Sequence, residues 1–242
     1  MPKNTVGYGF LVALALSLSL IGIALVLPLV IYKPTVHFDV SWRKPLIGSL
    51  LTLICIAGVL AVFFPKKCTT TLHRHKRDEE LASDVKNASS YSRSISFRGH
   101  HPGCGKFAAH LIHVKGRVFC AACTGLLLGT LFVIAGTVLY FFINWNFLKL
   151  HSLWAVFVGQ IGVALGLFQF KFRGFMRSVL NAFFVIACFL ILAGVESFAE
   201  NVLFDLYLIC LTIFWLFTRI LTSQWNHLQI CRTCSVPCEL KR

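Results

Sequence analysis

Long apolar runs alternate with shorter polar stretches along the whole chain. Six runs of about 20 residues occupy positions 8–31, 46–64, 122–143, 150–170, 178–198 and 201–222. A helix rises 1.5 Å per residue, so about 20 apolar residues cross the hydrocarbon core of a bilayer. The pattern therefore predicts an all-α membrane protein, built as a bundle of six transmembrane helices with the lipid bilayer around it.

Composition supports this class and excludes a soluble globule. Hydrophobic residues make up 57% of the chain and charged residues 13%, whereas a soluble domain has about 25% charged residues. The first apolar run is also longer than the apolar core of a secretory signal, which spans about 7–15 residues. We therefore expect this run to be retained as the first membrane span.

The polar stretches divide the chain into four regions. Positions 1–65 hold helices 1 and 2, 66–124 form a loop, 125–222 hold helices 3–6, and 223–242 form a tail. Within the loop, a serine-rich linker precedes the run HLIHVKGRVF at 110–119. Its apolar segments flank Lys115 and Gly116, which predicts a tight β-hairpin because glycine permits positive φ. We expect His110 and His113 to face solvent there.

Basic residues are distributed unevenly between the two sides of the predicted bundle. Of 23 lysines and arginines, one side receives only Lys33, Arg43, Lys44 and Lys149. Because cytoplasmic loops carry the excess of basic residues, the loop, the tail and both termini are predicted to be cytoplasmic in a multi-pass protein of the cell membrane. No basic stripe with interleaved aromatic residues appears, so nucleic acid is not an expected partner.

Cysteines and histidines concentrate in the loop and the tail, on the side that is predicted to be cytoplasmic. Two C-x-x-C pairs occur there, and such a pair supplies two thiolates from one turn, as zinc sites use. The candidate ligands are His100, His101, Cys104, Cys120, Cys123, His227, Cys231, Cys234 and Cys238. We predict a zinc site. The alternatives are an iron–sulfur cluster on the tail thiolates and thiols without a metal. Structural disulfides are not expected, because the cytoplasm is a reducing compartment.

Two groupings of these ligands are compatible with the spacing. The first uses donors that are close along the chain, namely His100 or His101 with Cys104, Cys120 and Cys123. The second joins both C-x-x-C pairs and fastens the tail to the loop, through Cys120, Cys123, Cys231 and Cys234. The first is preferred because its shorter loop loses less entropy on closure.

A second candidate site lies on the other side of the membrane. Glu196, Glu200 and Asp205 are three of only nine acidic residues and cluster at the outer end of spans five and six. Acids at a membrane edge are costly and often mark an ion pathway, so they form a candidate outer cation site. The alternative is a solvated turn between two helices.

Several residues within the apolar runs indicate how the helices pack. Two small-residue pairs allow close helix approach, Gly125 with Gly129 and Gly162 with Gly166. Three amides within or beside the spans are expected to form interhelical hydrogen bonds, namely Gln160, Gln169 and Asn181.

The run Phe119-Cys-Ala-Ala-Cys-Thr-Gly125 resembles the membrane-protein family called domain of unknown function 2085. Cys120, Ala121, Cys123, Thr124 and Gly125 match the C-A-R-C-T-G knuckle of that family, while Ala122 replaces its arginine. The cysteine-rich tail is similar to that of an archaeal branch. The resemblance covers roughly positions 99–193 and implies a small polytopic membrane protein without an established activity.

Three function hypotheses follow from these features. The first is a non-enzymatic membrane protein whose zinc site orders the cytoplasmic loop for docking of the tail, a cytoplasmic protein partner or a second copy in a homo-oligomer. The second is a cation transporter or channel that uses Glu196, Glu200 and Asp205. The third is a membrane thiol oxidoreductase that uses Cys120 and Cys123.

Overall fold

A computed structural model describes residues 5–31, 42–63, 109–114, 117–145 and 148–232. Within these ranges the chain forms six long helices and one pair of strands. The helices are α1 (Thr5–Ile31), α2 (Arg43–Phe63), α3 (Ala121–Thr137), α4 (Ser152–Leu167), α5 (Gly174–Ala199) and α6 (Val202–Arg232). A π-helical turn, Val138–Phe142, extends α3, and the 3₁₀ turns Lys149–His151 and Gln169–Lys171 flank α4.

All six helices are long and apolar enough to cross a membrane, with spanning stretches of 19–29 residues. The predicted number of spans is therefore confirmed. Large apolar side chains point away from the bundle, as lipid contact requires; Phe10, Phe132 and Trp154 are each about 70% exposed. Such a surface is compatible with a bilayer and not with water.

Successive helices run in opposite directions, so the bundle has two distinct ends. The hydroxyl of Tyr8, at the start of α1, lies 3.1 Å from Oε1 of Gln224, near the finish of α6. The first and last helices therefore meet at one end, which also carries the strand pair; we call it the hairpin end. The other end, where α2 and α6 begin, is called the distal end.

Helix α5 lies at the centre of the bundle and packs closely on α3 and α4. Glycines make this contact possible. A Cβ atom added at Gly129 would stand 2.6 Å from the carbonyl oxygen of Ala182, and one at Gly162 would stand 2.6 Å from Cβ of Ala187. The close approach predicted from both glycine pairs is thus present, and it fixes α3 and α4 against α5.

The strands β1 (Leu111–Val114) and β2 (Arg117–Cys120) pair in antiparallel fashion, with Val114 opposite Arg117. This register agrees with the tight turn expected at positions 115 and 116. Strand β2 leads directly into α3, because Cys120 is both the last strand residue and the N-cap of the helix. The C-x-x-C pair that follows the hairpin therefore lies at a helix N-terminus.

The last helix continues ten residues beyond the apolar run that predicts it, to Arg232 rather than position 222. Tertiary contacts support the extension. Gln224 meets Tyr8, and the ring of Trp225 lies 6.2 Å from that of Phe170 in an edge-to-face arrangement. A helix held by packing needs no continuous apolar sequence. As a result, His227 and the backbone of Cys231 belong to α6.

Candidate functional site

The two thiols of the C-x-x-C motif lie together in the first turn of α3. Cys120 is the N-cap residue and Cys123 follows three positions later, with its thiol within hydrogen-bonding reach of Cys120. Cys120 is buried and Cys123 is partly buried. The N-terminus of a helix favours negative charge through its dipole and its free N–H groups. The helix N-terminus therefore favours negative charge on these thiols, whereas their burial opposes it.

Two buried arginines lie beside these thiols. Arg177 belongs to the first turns of α5 and is 1% exposed, while Arg219 of α6 is 5% exposed. Arg219 is close enough for electrostatic interaction with both thiols, and Arg177 with that of Cys120. Within the described ranges neither arginine forms an ion pair with a carboxylate, since both ion pairs there involve Arg43.

Asn181 links the two arginines. Its Oδ1 accepts hydrogen bonds from Nε of Arg219, at 2.9 Å, and from Nη2 of the same side chain. Its Nδ2 donates to the carbonyl oxygen of Arg177 at 2.6 Å. The interhelical role predicted for Asn181 is confirmed. This amide orients the guanidinium of Arg219 but carries no charge that could neutralise it.

His110 and His227 complete the cluster at the hairpin end. Nη1 of Arg177 lies 3.1 Å from Nδ1 and 3.0 Å from Nε2 of His110. The ring of His110 is 5.3 Å from that of His227. His110 is 5% exposed, so the expectation that it faces solvent is wrong; the arginine contact holds it inside. His113 is exposed, as expected.

The predicted metal ligands are only partly covered by the structure. Cys120 and Cys123 are brought together, and His227 lies at the same end of the bundle. In the part of the chain that the structure describes, no three side chains of His, Cys, Asp or Glu are arranged to hold a metal ion. The other candidates lie outside the described residues: His100, His101, Cys104, Cys234, Cys238 and the side chain of Cys231.

A second buried polar cluster occupies the distal end. Nη2 of Arg43 lies 2.5 Å from Oε1 of Glu196, and its Nη1 lies 3.2 Å from Oδ2 of Asp205. Both acids are 0% exposed. The hydroxyl of Tyr140, in the π-helical turn after α3, donates to Oε2 of Glu196 at 2.7 Å. Arg43 therefore joins α2 to α5 and α6 through one guanidinium.

This arrangement changes the interpretation of the outer acids. Glu196 and Asp205 come together as predicted. The alternative, a solvated turn, is wrong for these two residues, because both are fully buried. Glu200 is exposed and terminates α5 with φ of 48°. Helix geometry explains the separation: Glu200 ends the helix in a left-handed conformation, so it does not continue the face of Glu196.

Sequence reasoning missed the three buried arginines as parts of these clusters. Arg43 enters the prediction only through the distribution of basic residues, and no signal in the sequence singles out Arg177. Arg219 offers the clearest signal, because it lies inside the sixth apolar run. Placing a charge within a membrane span costs free energy, so such a residue usually has a functional or structural role. Of the remaining amides, Gln160 donates to the carbonyl oxygen of Ile23 as predicted. Gln169 has no partner among the described residues.

Comparisons with known proteins add no further identification. No protein-family model, curated protein or solved structure gives a significant match to this chain. The resemblance to domain of unknown function 2085 therefore stays a prediction that rests on residues 120–125.

The distal cluster generates a stability prediction. Replacing Arg43 by Met leaves Glu196 and Asp205 buried without a counter-charge, which costs about 3–5 kcal/mol. We expect a markedly lower thermal unfolding temperature of the purified protein in detergent. The triple variant Arg43→Met, Glu196→Gln, Asp205→Asn removes all the charges together and should recover much of the loss. Glu200→Gln, which changes an exposed acid at the same end, is the control. An Arg43→Met protein as stable as the wild type would show that the ion pairs contribute nothing.

Proposed function

We propose that this polytopic membrane protein carries a cytoplasmic zinc centre at its hairpin end, and that the metal orders the adjoining loop as a docking element. The observation that carries the proposal is the placement of Cys120 and Cys123 together in the first turn of α3, beside two buried arginines. No catalytic activity is required of such a centre.

The residues present fit a zinc ion in charge and in donor type. Zinc in structural sites takes four donors in a tetrahedron, and a C-x-x-C turn supplies two of them. A thiolate of Cys123 would gain from the helix N-terminus and from the guanidinium of Arg219, but burial and the neighbouring Cys120 oppose its charge, so a bound cation would have to stabilise it. Cys120 and Cys123 would hold the metal, with the remaining two donors supplied by candidate ligands beyond the described residues.

A metal would supply the folding free energy that the loop sequence lacks. Positions 66–108 are rich in serine and charged residues, and such a composition buries little apolar surface. When a metal binds only the ordered form of a segment, its binding free energy becomes folding free energy. An ordered loop beside the end of α6 offers a surface to a cytoplasmic protein or to a second copy of the chain.

A dithiol oxidoreductase is the second candidate. The same two sulfur atoms, adjacent at a helix N-terminus and close to positive charge, match the surroundings of reactive C-x-x-C pairs. Cation transport is less well supported, because Arg43 already occupies the space between Glu196 and Asp205. An incoming cation would have to displace a buried guanidinium from both carboxylates.

The proposed orientation in the membrane can be tested by cysteine labelling. With the hairpin end in the cytoplasm, Glu200 lies outside the cell. A membrane-impermeant maleimide should label the variant Glu200→Cys in intact cells. The matched variant His113→Cys, exposed at the hairpin end, and the wild type should be labelled only after permeabilisation. Labelling of His113→Cys but not of Glu200→Cys in intact cells would reverse the orientation.

The proposed metal can be tested by its presence in the purified protein. Elemental analysis of the purified protein should give zinc in stoichiometric amount, and Cys120→Ser or Cys123→Ser should lose most of it, because two of the four donors come from these thiols. Cys210→Ser is the matched control, since Cys210 is exposed on the apolar surface of α6, and should retain the metal. A metal-free wild type in which Cys120 and Cys123 form a disulfide reversibly would favour the oxidoreductase instead.

A further inference from the structure

The distal cluster has one carboxyl group more than its guanidinium can balance. Arg43 contacts two acids, Oε1 of Glu196 at 2.5 Å and Oδ2 of Asp205 at 3.2 Å, and both acids are fully buried. The other oxygen of Asp205, Oδ1, is buried and has no hydrogen-bond partner in the part of the chain that the structure describes. An unbalanced buried charge is costly, and carboxyl groups that share one site can hold a proton between them.

The remaining charged groups at the distal end face outward. Nζ of Lys44, which follows Arg43 in α2, donates to Oδ1 of Asn144 at 2.7 Å in an exposed contact, 5.4 Å from the centre of the Tyr140 ring. Glu200 is exposed. The ion pairs that the described residues form with the two buried acids therefore both come from one guanidinium.

Tyr140 offers a hydrogen-bond partner for a bound proton. Its hydroxyl oxygen lies 2.7 Å from Oε2 of Glu196 and 3.0 Å from the carbonyl oxygen of Ala193. A phenol carries a single hydrogen, so it can donate fully to only one of these oxygens. While Glu196 is ionised, the hydroxyl donates to the carboxylate. When Oε2 carries a proton, Glu196 donates to Tyr140 and the hydroxyl donates to Ala193, so both contacts are hydrogen bonds.

We propose that the distal cluster is a proton-binding site, in which Glu196 and Asp205 hold one proton between them, on Oε2 of Glu196. Their places in the helices support this assignment. Asp205 lies in the first turn of α6, where the helix dipole favours negative charge, whereas Glu196 lies in the last turn of α5, where the dipole opposes it. Arg43 then forms an ion pair with Asp205 and donates a hydrogen bond to a neutral Glu196.

A proton suits this cluster better than a metal cation does. It needs no space between the guanidinium and the carboxyl groups, so Arg43 stays in place when the proton binds or leaves. With the proton bound, the buried charges of the cluster balance. The site is independent of the proposed zinc centre, because it lies at the opposite end of the bundle.

Infrared spectroscopy of the full-length protein in detergent tests for the proton, because a protonated carboxyl group has a carbonyl band separate from those of carboxylates. The chain has nine acidic residues, so a single band can be resolved. At neutral pH we expect the band in the wild type and in the control Glu200→Gln. Glu196→Gln and Asp205→Asn should each lose it, since one carboxylate then balances one guanidinium. A wild type without the band, or a band that persists in both variants, would overturn the proposal.

The place of the proton is tested with Tyr140→Phe. This substitution removes the oxygen that accepts the proton of Glu196, so the carbonyl band should remain but move to higher frequency. Tyr207→Phe, which changes an exposed tyrosine of α6, is the matched control and should leave the band where it is. An unchanged frequency in Tyr140→Phe would refute the assignment to Oε2 of Glu196. This comparison needs no acid variant, so it remains decisive even where Glu196→Gln prevents folding.

Equilibrium unfolding in detergent gives a second measurement. Above about pH 5 both acids are ionised in the unfolded chain, so the wild type releases the proton when it unfolds. Its folding equilibrium constant should therefore fall about tenfold per pH unit relative to that of Glu196→Gln, until the folded protein also loses the proton. Comparing the two proteins cancels the other titrating groups, which both share. The same pH dependence in both proteins would contradict a bound proton.

Discussion

A guanidinium group removed from water must be matched by negative charge, and this requirement shapes both ends of the bundle. At the distal end Arg43 meets two fully buried carboxylates, those of Glu196 and Asp205. At the hairpin end Arg177 and Arg219 meet thiols and an amide instead. Burying an ion is tolerable only where its partner is well placed. One end therefore balances its guanidinium with its own carboxylates, whereas the described residues at the other end offer the two arginines only thiols, an amide and a histidine.

Helix α5 connects the two clusters, and the glycines of α3 allow α3 to pack closely on it. The backbone of α5 carries Asn181 near one end and Glu196 near the other, so its position sets both sites. A Cβ atom at Gly125 would lie 2.9 Å from Cβ of Asn181, which shows that α3 could not carry a larger residue there. Cys123 lies two residues before Gly125 in the same helix. Small residues in an apolar run thus bring the thiol pair to the buried arginines.

Much of the architecture could be predicted from the sequence because apolarity and length are local properties. Six runs predict six helices, and the strands flank positions 115 and 116 as the turn chemistry indicates. The partners of the arginines could not be predicted, because each pairing joins segments far apart along the chain. Arg43 and Glu196 are 153 positions apart, and His110 and Arg177 are 67 apart. A search for long apolar runs also tolerates a single charged residue within a run, so it does not assign a role to Arg219.

The central claim is that the thiols of Cys120 and Cys123 hold a metal ion. X-ray absorption spectroscopy at the zinc edge of the purified full-length protein tests it most directly. The account predicts a first coordination shell of sulfur at about 2.3 Å, the distance of zinc–thiolate bonds. A protein without zinc, or one whose zinc has only nitrogen and oxygen neighbours, would contradict it.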